Sequence, residues 1–395
     1  MKYICLPFLT CLLAAHAYGQ NAPKLTKPYA HADNIALNLS RTSVKNTQDI
    51  ADYINTHFSA PADKARAIFI WTASNIQYDI AHMYAINFYE SKQEKIDNAL
   101  KSGQGVCINY AAIFNDVANK CNIRTYVVEG YTKTNAVADY VPHAWCAALI
   151  DTDWYLFDPT WGAGYVSNNK FLKKINNADF MVAPAIFIKS HMPFDPMWEC
   201  LYYQVNNDEF SNGRLRPNAS KSYFNYKDTI AVFERQSERD KQAAVARRGE
   251  SNGVKNSIIF SWLENLKRNI EVTDNNEMVN EYNTGVGNYN DAGNLFNIFV
   301  NYYNSQFRPA KPDPEIRKMI DTVQTKIDMT IRNLEGIHHP SASTMALMNS
   351  MRKNISSLQQ HVDEQKKMLD EYMQKGKLGR KMMFHKYTWM GMALN

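Results

Sequence analysis

Gly105-Val106-Cys107 opens a run, Ile108 to Cys121, in which small or apolar residues recur at Cys107, Tyr110, Ala111, Phe114, Val117, Ala118 and Cys121. That spacing is one face of an α-helix, with Cys107 at its N-terminal end. Unpaired N–H groups and the helix dipole favour an anion there, so a thiol in that place is a candidate nucleophile. A thiolate nucleophile needs a base beside it, and the base needs a partner that orients it. His143 and Asp158 are the residues whose types and positions can supply both. The chemistry such a set can perform is nucleophilic catalysis by a thiolate.

The elements around these residues decide whether the three can meet. Arg124–Thr132, His143–Ile150 and Trp154–Asp158 read as strands, with Lys133–Tyr140 a polar loop and Pro159 ending the third strand. His143, Trp145, Ala147 and Leu149 share one face of their strand, and Trp154, Leu156 and Asp158 share one face of the next. With Ile150–Asp153 as the connection, Leu149 opposes Trp154 and Trp145 opposes Asp158. His143 then lies diagonally across from Asp158, about 7–8 Å away between backbones, which a His–carboxylate hydrogen bond spans. A tight two-residue turn is expected to pull the two residues further apart. Upstream, Ser59-Ala60-Pro61 starts a helix that buries Ala65, Ile68, Phe69, Trp71, Thr72 and Ile76. A helix followed by consecutive strands predicts an α+β domain with an antiparallel sheet.

Three blocks in this order resemble the signatures of the transglutaminase-like superfamily of papain-like cysteine enzymes. They are Gly105-Val106-Cys107, His143-Ala144-Trp145 and Asp158-Pro159-Thr160-Trp161-Gly162. Ile70-Trp71 through Ile76-Gln77-Tyr78-Asp79 fits the same core, and Ser190-His191-Met192-Pro193 and Trp198 stand at its trailing edge. The bacterial relatives of kyphoscoliosis peptidase are the subgroup it looks most like. The resemblance covers roughly residues 60 to 200. It implies a papain-like core with Cys107 as nucleophile, His143 as general base and Asp158 orienting the imidazole, and with them acyl transfer from a carboxamide or peptide carbonyl through a thioester. The Cys107 N–H is the natural first oxyanion donor. Gln104, Gln77 and Tyr78 are candidates for the second, and Trp161 for a wall of the substrate cleft.

Export is expected as well. Lys2, the apolar Ile4–Ala15 and the small residues of Ala15–Gly19 read as a cleaved signal over residues 1–19, hence a secreted or periplasmic protein. That apolar run is shorter than the roughly 20 residues a membrane span needs. Removal of the signal leaves Cys107, Cys121, Cys146 and Cys200, too few for a disulfide scaffold in a chain of 395 residues. With no Cys-x-x-Cys, no acidic calcium loop, and His338 and His339 in a turn, neither metal nor other cofactor is expected. The net charge of +5 is dispersed, which argues against nucleic acid as partner. A protein or peptide substrate, cell-wall peptide included, is expected instead, and the oligomeric state is open.

The organisation that follows is a signal (1–19), an N-terminal extension (20–59), a catalytic domain (60–204) and a helical domain (205–395) ending in a helical hairpin at 313–375. Helices are expected over 225–248 and 254–270, with an aromatic-rich, helix-compatible segment from Met278 to Phe307 and a near-heptad rhythm in the last helix. Residues 80–104 read as polar and mixed. His191 reads as a packing residue. Hydrolysis is slightly favoured over cross-linking or deamidation, since nothing visible in the sequence excludes water from a thioester. The competing reading is a catalytically silent binding or scaffold module.

Overall fold

The structure, a computed structural model, describes residues 29–84, 90–135, 137–214, 216–338 and 340–385. The expected signal at 1–19 and His339 lie outside them. The described chain forms two compact units. One runs to Ile230 and takes in Asn252–Ile258, and the other holds Ala231–Ser251 and the chain from Ile259 on.

The first unit begins with three helices, α1 (Ala30–Asn38), α2 (Thr47–His57) and α3 (Pro61–Asn75). The expected extension is thus part of the core: Ala32, Ala36, Ile50, Ala51 and Ile54 share one buried cluster with Ile68, Phe69, Trp71 and the apolar face after Cys107. Pro61 occupies the first turn of α3, where its missing N–H costs no hydrogen bond. Arg66 of α3 is buried yet paired: its guanidinium donates to both Asp33 carboxylate oxygens and to Asn177 Oδ1, and lies over the Tyr29 and Phe180 rings.

A two-residue strand, β1 (Gln77–Tyr78), precedes α4 (Lys92–Ser102). This helix lies in the stretch read from sequence as polar and mixed. Its signals are local: a Ser91/Glu94 capping box starts it, and Gly103, in the left-handed region at φ 71°, ends it. Next come β2 (Gln104–Gly105), parallel to β1 with Tyr78 opposite Gly105, and α5 (Cys107–Lys120). Val106 has no capping side chain, so Asn109 reaches back and accepts from the Val106 N–H at 2.9 Å. Tyr110 donates its hydroxyl to the Ile76 carbonyl at 2.8 Å, tying α5 to the end of α3.

The sheet is formed by β3 (Thr125–Thr134), β4 (Val137–Ile150), β5 (Asp153–Phe157) and a short later strand. Between β5 and that strand lie the short helix α6 (Pro159–Ala163), a hairpin of β6 (Gly164–Ser167) and β7 (Lys170–Lys173), and α7 (Pro184–Phe187). The late strand is β8 (His191–Pro193), and the antiparallel order is β5-β4-β3-β8. Two expectations change here. Lys133–Tyr140 is not a loop: β3 and β4 continue to Thr134 opposite Val137, so His143 sits inside its strand rather than at its start. The β4–β5 connection is the tight turn, Asp151-Thr152, with Ile150 opposite Asp153. Leu149 nevertheless faces Trp154, because that pairing already implies the two-residue turn. The feared separation of His143 from Asp158 therefore does not arise.

One face of β4 supplies Ala144, Cys146, Ala148 and Ile150 to the core that holds α5, and the thiol of Cys146 donates to the Ala111 carbonyl at 3.3 Å. The other face carries His143 and Trp145. Trp145 meets Phe187 and His191, and across the same layer Trp154 meets Trp198.

The second unit is helical, as the sequence predicts. Its main elements are the 48-residue helix Ser257–Asn304, which joins the two segments expected as separate, and the hairpin Asp313–Glu335/Ala342–Gln374. Met278, Gly285, Ala292 and Phe299 are buried at seven-residue spacing on the first, and Ile316, Ile320, Val323, Ile327, Thr330 and Leu334 at alternating spacings of four and three on the second. Such a seam packs helices side by side. Gln324 and Gln359 exchange hydrogen bonds across the hairpin at 2.8 Å. Among the described residues no helix is long and apolar enough to cross a membrane.

Candidate active site

Three elements distant in sequence bring Cys107, His143 and Asp158 together. Cys107 opens α5 and is buried, at 8% exposure. His143 projects from β4 with its side chain 10% exposed. Asp158 follows β5 and caps α6, fully buried.

The carboxylate of Asp158 is saturated. Oδ1 accepts the backbone N–H groups of Thr160 (2.8 Å) and Trp161 (3.1 Å), an N-cap arrangement that fixes the plane of the group. Oδ2 accepts from His143 Nε2 at 2.7 Å and from His191 Nε2 at 3.2 Å. With Nε2 of His143 committed to Asp158, Nδ1 is the ring nitrogen left to face Cys107, which acts on the imidazole's electrostatics.

The electrostatics follow from this packing. Burial alone would lower the His143 pKa, but the charge and hydrogen bond of Asp158, with Cys107, outweigh it and hold the imidazole at about 10. Burial would likewise raise Asp158, yet the two imidazoles hold it well below the usual carboxylate range. His191 moves the other way. Its burial dominates and depresses it despite Asp158, so it stays neutral at pH 7. Asp179 is pushed up to about 7, by burial first and then by the nearby Asp158 charge.

Of the remaining expected site residues, Trp161 is half-buried, with its ring 5.8 Å from that of His143 and 4.5 Å from that of His191. Tyr78 is half-buried too. It stands opposite Gly105 in the β1–β2 pair, and its phenol is raised by burial first and then by Cys107 and Asp158. Gln104 and Gln77 stand opposite each other in the β1–β2 pair, both exposed.

His191 is the residue that sequence reading missed. It is not loop packing: it opens β8, is 1% exposed, and bonds the same oxygen as His143. The one local signal is its place in Ser190-His191-Met192-Pro193. His143, Asp158 and His191 together have a donor set suited to a divalent cation, and their ligand atoms lie within 4.8 Å of one another. Here both imidazoles spend Nε2 on one carboxylate oxygen, and the set is a hydrogen-bonded chain.

Cys107 at the start of α5 and the His143–Asp158 pair on the sheet belong to one α+β unit, and comparison with known proteins places that unit at the level of family. Residues 48–159 match the transglutaminase-like superfamily, so the chain carries that superfamily's core, followed by a mainly helical region. Among curated proteins, kyphoscoliosis peptidase from Homo sapiens is 30% identical over 158 residues, and that from Mus musculus 29% over 164. Each match covers 38% of this chain and 23% of the relative, so the chain spans about a quarter of the length of either. Among solved structures, the periplasmic domain of TgpA from Pseudomonas aeruginosa aligns at 19% identity and TM-score 0.24, covering 33% of this chain and 48% of that one.

Proposed function

We propose that this protein is a thiol enzyme that cleaves or transfers the acyl group of peptide or protein amides through a thioester on Cys107. The observation that supports the reading is the 2.7 Å hydrogen bond between His143 and the buried Asp158, with Cys107 at the start of α5 acting on the same imidazole. In this reading His143 Nδ1 takes the Cys107 proton, and the thiolate attacks the carbonyl carbon. The tetrahedral oxyanion is met by the N–H of Cys107 and by the Tyr78 hydroxyl, which its raised pKa keeps as a donor. His143 returns the proton to the leaving amine, and the thioester remains. A water deprotonated by His143 then gives hydrolysis or deamidation, whereas a lysine amine gives an isopeptide bond. Trp161, beside His143, is the wall against which the substrate side chain packs. The apolar stretch near the start of the sequence supports export, with proteins or peptides outside the cytoplasm, cell-wall peptide included, as the substrates met there.

Iodoacetamide labelling tests the assignment. Cys107 is expected to alkylate faster than a free thiol at pH 7, and His143→Ala to remove the excess. A Cys107 no faster than free cysteine would leave a binding module as the reading to prefer.

A further inference from the structure

We propose that His191 is a positioning residue of this site: held by Ser190, it fixes Asp158 Oδ2 so that the carboxylate meets His143 in one orientation. The inference rests on the Cys107–His143–Asp158 reading and adds a member to it. His191 and Asp158 are both fully buried, and a carboxylate there needs every lone pair met. Two backbone N–H groups meet Oδ1, and His143 meets one side of Oδ2. His191 Nε2–H meets the other side at 3.2 Å. Without it, Asp158 could turn Oδ2 away from His143.

The tautomer is set from the far side. Ser190 Oγ lies 2.8 Å from His191 Nδ1. A neutral imidazole that donates from Nε2 must accept at Nδ1, so the Ser190 hydroxyl donates to it. Aromatic rings fix the plane: Phe187 stacks on His191 at 3.9 Å and 19°, Trp161 lies 4.5 Å away, and Trp145 meets it edge-on at 5.2 Å. The charged and titratable groups acting on His191 are Asp158 and His143, with Asp139 more weakly. The strand pairing does the rest, since His191 lies opposite Thr132 on β3.

The test compares His191→Phe with His191→Gln in the full-length protein. Phenylalanine keeps the ring stacking and removes the donor. Glutamine returns an N–H near the place of Nε2. Thermal melting checks that each variant folds, and the rate of Cys107 alkylation by iodoacetamide is followed from pH 4 to 9. The expected result for folded His191→Phe is an alkylation rate at pH 6 about tenfold lower, with the acid limb about one pH unit higher, the size of one lost hydrogen bond to a charged group. His191→Gln is expected to recover most of both. Dialysis of the wild type against a chelator is expected to change neither. Wild-type kinetics in folded His191→Phe would overturn the proposal, as would an acid limb that stays put or moves down, or a chelator effect reversed by Zn²⁺. Should His191→Phe not fold, Ser190→Ala carries the test, with the same upward shift expected and an unmoved limb refuting it. Ordinary thiol kinetics in the wild type would overturn the nucleophile reading and the positioning role that rests on it. A reactive wild type with an unaffected His191→Phe overturns only the latter.

Discussion

Asp158→Asn separates charge from shape at the centre of the site. The amide oxygen of asparagine can still accept from the Thr160 and Trp161 N–H groups, which Oδ1 of Asp158 now meets at 2.8 and 3.1 Å, so the start of α6 keeps its cap. The amide nitrogen then faces His143 Nε2 and His191 Nε2, where the carboxylate accepted from both. Each imidazole must present a lone pair there instead, which moves the proton of neutral His143 to Nδ1, the nitrogen that should receive the Cys107 proton. The electrostatic loss is large. His143 is held at about 10 against its ordinary 6.5, a difference of about 5 kcal/mol in favour of the charged ring, and most of it comes from Asp158. Without that charge, burial dominates and His143 is neutral at pH 7. The expected outcome is a Cys107 alkylation rate at pH 7 lower by about 10²- to 10⁴-fold, the range associated with loss of a general base. NMR of the His143 ring should show the titration moved from the alkaline side to below pH 7. A folded Asp158→Asn protein that alkylates within about threefold of wild type would refute the role given to the carboxylate.

Three further outcomes are expected. Gly130→Ala would place Cβ 2.2 Å from the Met192 carbonyl oxygen, 2.4 Å from the Trp145 ring and 2.8 Å from Pro193 Cα, so β8 must leave β3. Denaturant titration should show a loss of about 3 kcal/mol or more, the upper end of overpacking costs. Gly287→Ala, in a helix with open space at Cβ, should gain about 0.5–1 kcal/mol. Stability should also track the His143–Asp158 pair. His143, raised in the folded state, contributes fully below about pH 6.5 and loses that contribution as pH rises through about 10. Asp158, lowered, contributes above its ordinary 3.8 and loses it as pH falls through its folded value. Chemical denaturation of wild type minus His143→Phe across pH 5–10 should give a difference that shrinks on the alkaline side; a flat difference refutes the pairing.

The amino-acid order carries everything that depends on near neighbours. The 3.6-residue rhythm from Cys107 to Cys121 is a helix with that face buried, and Leu149 opposite Trp154 follows from two strands and their turn. The seven-residue seams of the second unit were equally legible in part, because heptads are a local pattern. The α4 helix was not legible in the same way: its polar face offers little hydrophobic rhythm, although a Ser91–Glu94 capping box marks its start. Nor was the extension of β4 back to Val137, because a polar strand is held by pairing with β3 rather than by its own apolar pattern. His191 depended most on the fold. Its place in Ser190-His191-Met192-Pro193 does not by itself distinguish a packing histidine from one that donates to a carboxylate 33 positions away. Only when β8 closes against β3 does its ring reach Asp158, and the site gains a second imidazole on the same oxygen. The candidate thiol, base and carboxylate came from residue type and order together with the resemblance, and strand register set His143 near Asp158. The saturation of Asp158, which keeps it charged and fixed, arises from long-range closure of the sheet.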